Sequence, residues 1–235
     1  MATSQHISQR FDKQLEGIRS QVLAMGGLVE QQVNDAMQSL LTGDAELARN
    51  VMGGDEEVNK LDLKADEDCF KIIAMRQPTA SDLRLVTVVS KTIADLERIG
   101  DEAVRIARMA LNLSEKDRPK KNYRELRALG KHVEEMLHNA LDAFVRQDVK
   151  LALAVAREDH RVDEEYESLL RQLMTYMMED PRMISRAIDM MWSARSLERI
   201  GDHARNIAEH TIYMVEGKDV RHLTVEKMEK VVKGE

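Results

Sequence analysis

The segment Leu96-Glu97-Arg98-Ile99-Gly100-Asp101 returns unchanged as Leu197-Glu198-Arg199-Ile200-Gly201-Asp202, 101 positions later. Around the first copy, Val86, Val89, Ile93, Leu96, Gly100, Ala103, Ala107 and Ala110 recur at steps of three and four. Ala187, Met190, Ala194, Leu197, Gly201, Ala204, Ala208 and Thr211 repeat that register around the second. The period is that of a helix packed on helices. Self-similarity on this scale indicates a duplicated unit. Gly in a helix interior costs about 1 kcal/mol relative to Ala, so Gly100 and Gly201 predict close backbone approach. Extended upstream, the same offset lays Asp62 on Asp163, Glu57 on Glu158 and Asp66 on Glu167.

Breaks in the pattern divide the chain. Pro78, Pro119 and Pro181 stand in polar segments between long helical stretches, and proline disfavours helix in the residue before it. Thr42-Gly43-Asp44 and Arg146-Gln147-Asp148 supply two further turns. Six helices are predicted, over Ile7–Leu41, Ala45–Arg76, Asp82–Leu113, Tyr123–Val145, Val149–Met178 and Arg182–Glu216. Short connections make successive helices antiparallel neighbours. The expected fold is therefore all-α, with two tandem antiparallel three-helix bundles, 1–116 and 117–235, joined near Ser114–Asn122. The charged tail after Gly217 is expected to pack loosely.

Composition removes other classes. With three prolines and eleven glycines in 235 residues, there is little material for the reversals of an all-β fold. A net charge of −7 and 3% aromatic residues argue against nucleic-acid binding, which needs phosphate neutralisation and stacking platforms. The single cysteine, Cys69, cannot close an internal disulfide and suits a small buried group in a reducing compartment. The sequence shows neither a basic, apolar leader nor a stretch of membrane-spanning length, so a cytoplasmic protein with no direct membrane insertion is expected.

The repeat also carries a candidate site. Glu97 and Asp101, like Glu198 and Asp202, are four apart and share one helix face, on a flank that solvent reaches. Like charges at that spacing repel unless something positive lies nearby. Antiparallel pairing brings Asp62 and Glu57 to the height of the first pair. It brings Glu158, Asp159, His160 and Asp163 to the height of the second, with Glu30, His132 and Glu135 of neighbouring helices near the same levels. Carboxylates gathered from two helices suit hard divalent cations such as Mg²⁺, Ca²⁺ or Mn²⁺, and with imidazole also iron or zinc. The expected metal ligands are Glu97, Asp101, Glu198, Asp202, Asp62 and Asp163. Against this stands a solvated acidic face paired with Arg98, Arg105 or Arg108. Arg98 and Arg199 read as ion-pair partners, and His203 and His210 as surface or packing residues. The fifteen methionines read chiefly as core filler. A di-iron bundle wants two Glu-x-x-His segments, and only Glu135–His138 fits, so that enzyme class is disfavoured. A metal-dependent hydrolase or redox bundle using the same acids is the alternative function, and a histidine phosphotransfer bundle finds no convincing acceptor in His160 or His203.

The twin Glu-x-x-x-Asp segments, with Met25-Gly26-Gly27, the run Arg76 to Arg84 and the run Thr175 to Asp180, resemble the PhoU family of bacterial phosphate-system regulators. The likeness covers the chain from Ile7 to about His222. It implies two spectrin-repeat-like three-helix bundles, often dimeric, that bind Mg, Mn, Fe or Zn ions through Glu97, Asp101, Glu198 and Asp202. It also implies a non-enzymatic negative regulator of phosphate uptake and of the phosphate-starvation signal. The implied partners are PstB, the ATPase subunit of the phosphate transporter, and the sensor kinase PhoR, met at the inner membrane.

Overall fold

A computed structural model describes residues 2–114 and 123–234. The expected joint between the halves falls mostly on 115–122, outside the described residues. The helices are α1 (Ala2–Thr42), α2 (Ala45–Arg76), α3 (Ala80–Ser114), α4 (Arg124–Arg146), α5 (Val149–Glu179), α6 (Ile184–Glu216) and α7 (Val225–Lys233), with a single 3-10 turn at Pro181–Met183 before α6. Asp44 and Asp148 begin α2 and α5 by accepting from the free amides of Glu46 and Leu47, and of Lys150 and Leu151. Each such cap is worth about 1 kcal/mol. The preceding residue is left-handed in both turns, Gly43 at φ 79° and Gln147 at φ 54°.

α1–α3 and α4–α6 form the two predicted bundles, and these share one continuous buried core. The halves meet in antiparallel fashion, α1 on α4 and α3 on α6. Where α1 crosses α4, the Leu141 side chain fills the space above Gly26, and Met37 fills that above Gly130. Each glycine thus accepts the other half's knob, as a pseudo-twofold axis between the halves requires.

The structure corrects two expectations. Buried Ala48, Val51, Val58, Ala65 and Cys69 of α2 match buried Ala152, Val155, Val162, Leu169 and Leu173 of α5. Those pairs stand 104 apart, as do Gly26 and Gly130, whereas the α3 and α6 repeat stands 101 apart. The three-residue difference falls in the turn: Gln77, Pro78 and Thr79 separate α2 from α3, whereas Asp180 alone separates α5 from the Pro181 turn. By position, then, Asp55 matches Asp159, while Asp62 matches Tyr166 and Asn59 matches Asp163. Second, the tail does not hang loose. Val220 and Met228 are fully buried, and α7 packs on α5, with Arg157 paired to Glu229 at 2.5 Å.

Candidate metal centres and the seam between the halves

Gly100 of α3 lies against Val58 of α2, and Gly201 of α6 against Val162 of α5. Those contacts hold each helix pair close and set the acids beside them. In the first half, repulsion from Asp101, Asp62 and Asp55, added to a larger effect of burial, pushes the Glu97 carboxyl above its ordinary range. Asp62 is raised by burial and then by Asp66. In the second half, burial raises Glu198, Asp163 and Asp202. Asp202 and Asp163 add repulsion to Glu198, and Asp159 adds it to both aspartates. Burial is the larger cause of each rise, and the repulsion of neighbouring acids adds to it. Glu97, Asp101 and Asp62 are thus electrostatic neighbours in the first half and Glu198, Asp202 and Asp163 in the second, with Asp62 and Asp163 at non-equivalent positions. Asp55 and Asp159 join them. The expected set lacked both, and a register taken from the Asp44 and Asp148 caps would have paired them.

The clusters differ in their cations. In the first, Arg98 is the one cation among the described residues that reaches Glu97 and Asp101, and loosely, at 3.4 Å and 3.7 Å. In the second, Arg195 holds Glu198, and Arg205 holds Asp159 at 2.6 Å and Glu209 at 2.9 Å. Other residues expected at these heights are engaged elsewhere. His132 meets Glu158 at 3.0 Å and Glu165 at 3.2 Å, His138 meets Glu30 at 2.9 Å, and Lys131 meets Glu135 at 3.3 Å.

Among the described residues, no three His, Cys, Asp or Glu side chains close on one point as a finished cation cage. The donor chemistry nevertheless fits a hard cation. Every gathered donor is a carboxylate oxygen, and Glu198 Oε2 is buried with no hydrogen-bond partner. Glu97, Asp101, Asp62 and Asp55 would hold an ion in the first half, and Glu198, Asp202, Asp163 and Asp159 one in the second.

The seam between α3 and α6 holds a cluster that the sequence reading took for packing. Asp95 of the first half receives His203 Nδ1 at 2.8 Å, Asn206 Nδ2 at 3.1 Å and His210 Nε2 at 3.1 Å from the second. Burial would raise the Asp95 carboxyl, but these three partners outweigh it and hold it at about 2. At the pseudo-symmetric end, Ser196 stands in place of Asp95, and buried Glu102 in place of His203. Glu102 Oε1 meets Arg105 at 2.8 Å and Arg199 at 3.1 Å, while Oε2 is buried without a partner. Arg98 and Arg199 are ion-pair partners as expected, but Arg199 reaches across the seam.

Fold and site together define a tandem three-helix-bundle protein with duplicated carboxylate clusters. Residues 22–110 and 126–211 match the PhoU domain. The phosphate-specific transport system accessory protein PhoU homolog of Pseudomonas aeruginosa is 54% identical over 227 residues, covering 97% of this chain and 94% of that one. The accessory protein PhoU of Escherichia coli K12 is 50% identical over 232 residues, covering 98% and 95%. The crystal structure of PhoU from Pseudomonas aeruginosa superposes with a TM-score of 0.86 over 88% of this chain and 100% of that one, at 54% identity. The phosphate transport system regulatory protein PhoU of Streptococcus pneumoniae gives 0.82 over 89% and 99%, at 28% identity. The chain belongs to the PhoU family.

Proposed function

We propose that this protein is a non-enzymatic, ion-binding negative regulator of phosphate uptake and of the phosphate-starvation signal. It works as an adaptor between PstB and PhoR, as a homodimer, in the cytoplasm against the inner-membrane transporter. The observation that carries the regulatory role is whole-length likeness to proteins named as accessory or regulatory components of phosphate transport. No helix among the described residues is long and apolar enough to cross a membrane, which fits docking onto a transporter. For the ion, the supporting observation is the pair of matched acid clusters with raised carboxyls. A bound divalent or trivalent cation (Mg, Mn, Fe or Zn) supplies positive charge that offsets the repulsion. Each helix pair is then fixed at one spacing, and the surface offered to PstB and PhoR is set by it.

Elemental analysis, paired with capture of PstB and PhoR with and without added metal, tests this reading. Replacing Glu97, Asp101, Glu198 and Asp202 by alanine is expected to abolish ion uptake and metal-dependent capture while far-UV circular dichroism stays unchanged. Metal content equal to wild type in that variant sinks the ligand assignment. Turnover of phosphate esters with Mn²⁺ or Mg²⁺ would move the protein to the hydrolase class.

A further inference from the structure

Beside the Asp95 cluster, an open cavity of about 510 Å³ lies between α3 and α6. The segment that follows α6 contributes Arg221 and His222 to its lining. That return of the chain is built into the fold. Val220 is fully buried, and Gly217 takes φ 71° so close to Arg84 that a Cβ there would lie 1.9 Å from Nη1. Asp219 comes near enough to Lys91 for the ammonium to favour its charged form.

The charges around this space are unevenly spent. Both acids in the wall are engaged within the protein: Asp95 by His203, Asn206 and His210, and Glu209 by Arg205 at 2.9 Å. Lys91 and Arg98 are less committed. Lys91 forms no ion pair among the described residues, and Arg98 makes only its two loose contacts with Glu97 and Asp101. Arg221 is forked onto exposed Asp219 of the same segment, through Nε at 3.0 and 3.1 Å and Nη2 at 2.6 Å, so an anion here would share that guanidinium with Asp219. A guanidinium presents a planar fork of donors to oxyanions, and an ammonium adds a point charge. Apart from the imidazoles of His210 and His222, the lining contains no Phe, Tyr or Trp ring to serve as a broad stacking platform for a nucleobase.

We propose that the cavity binds a small phosphate-type oxyanion, held by Lys91, Arg98 and Arg221, with His222 at its rim. Orthophosphate and the phosphates of a nucleotide share this chemistry, and the missing stacking surface favours the free ion. The inference goes beyond the cation reading and stands without it, because none of these holding groups is a proposed metal ligand.

The test is calorimetric titration of the full chain, stripped of metal on a chelating resin, with orthophosphate at constant ionic strength in chloride. ATP and sulfate serve as parallel titrants. Saturable binding of one orthophosphate per chain is expected, with ATP no tighter. The double variant Lys91→Ala/Arg221→Ala should bind at least tenfold more weakly, and Lys150→Ala, on the exposed start of α5, as wild type. Arg221 is exposed and Lys91 half-buried, and circular dichroism checks the fold. Lys91→Gln alone, expected to lose affinity several-fold, serves if the double variant misfolds. Heats no different from the chloride control, or wild-type affinity in both Lys91 variants, overturn the proposal. Tighter binding of ATP than of orthophosphate overturns the assignment to a free oxyanion.

Discussion

The two halves share a backbone plan and differ in how they settle polar groups. In the first half, Gln32 of α1 is buried with both amide atoms unpartnered, facing Gly54 and Gly100 across 3.3 Å contacts to the Cβ positions those glycines leave empty. In the second, Met136 stands where Gln32 stands and rests on Gly201 through its sulfur. The first acid cluster has one loose arginine, whereas two arginines reach into the second at hydrogen-bond distance. The scaffold is shared, and the contacts that hold its acids differ between the copies. The second half has the more developed ion-pair network, and the first keeps more unmet hydrogen-bonding capacity.

The seam offers the largest contrast to test. Asp95→Ala leaves His203, Asn206 and His210 without their shared acceptor, and a hydrogen bond to a charged group is worth about 1.5–3 kcal/mol. Ser196→Ala at the pseudo-equivalent position is expected to cost under about 1 kcal/mol, since no buried charge is stranded. Denaturant unfolding of both variants measures the difference, and equal losses would break the asymmetry. A smaller effect, of opposite sign in the two halves, is expected from exchanging core residues. Gln32→Met removes an orphaned amide and should stabilise by about 1–2 kcal/mol, and Met136→Gln should destabilise by about 1–3 kcal/mol. Loss of stability in Gln32→Met would mean that the amide is satisfied in solution.

The smallest expected effect is on pH. Carboxyls raised in the folded state bind protons more readily there than when unfolded, so the stability they contribute is full at low pH and declines as pH rises through their folded values. Asp95 has the opposite sign, but with its folded value at about 2 it acts only below the ordinary carboxylate range. Metal-free protein should therefore melt somewhat higher at the upper edge of the ordinary carboxylate range than at neutral pH. Added divalent cation should flatten that slope, which thermal melts at several pH values would show.

Much of this was legible in the sequence. Proline, glycine and the Asp44 and Asp148 caps fixed the turns, and the Leu96 and Leu197 seams fixed the packing period. The α2 to α5 register was misread because the motif's offset was carried across a turn that differs in length between the halves. Asp55 was lost with it. Asp95 and His203, 108 residues apart, meet only because the halves pack on each other, a pairing that local periodicity does not encode. α7 was missed because nine residues carry few apolar groups, although Val225, Met228 and Val232 keep helical spacing.

Arg98 leans toward Glu97 and Asp101 on one side and borders the seam cavity on the other. If both proposed sites fill, that one guanidinium would link their occupancies. A cation that neutralised the acids would free it for the seam, and an anion that engaged it at the seam would leave the acids less compensated. Thermodynamic reciprocity then requires each event to alter the affinity of the other by the same factor.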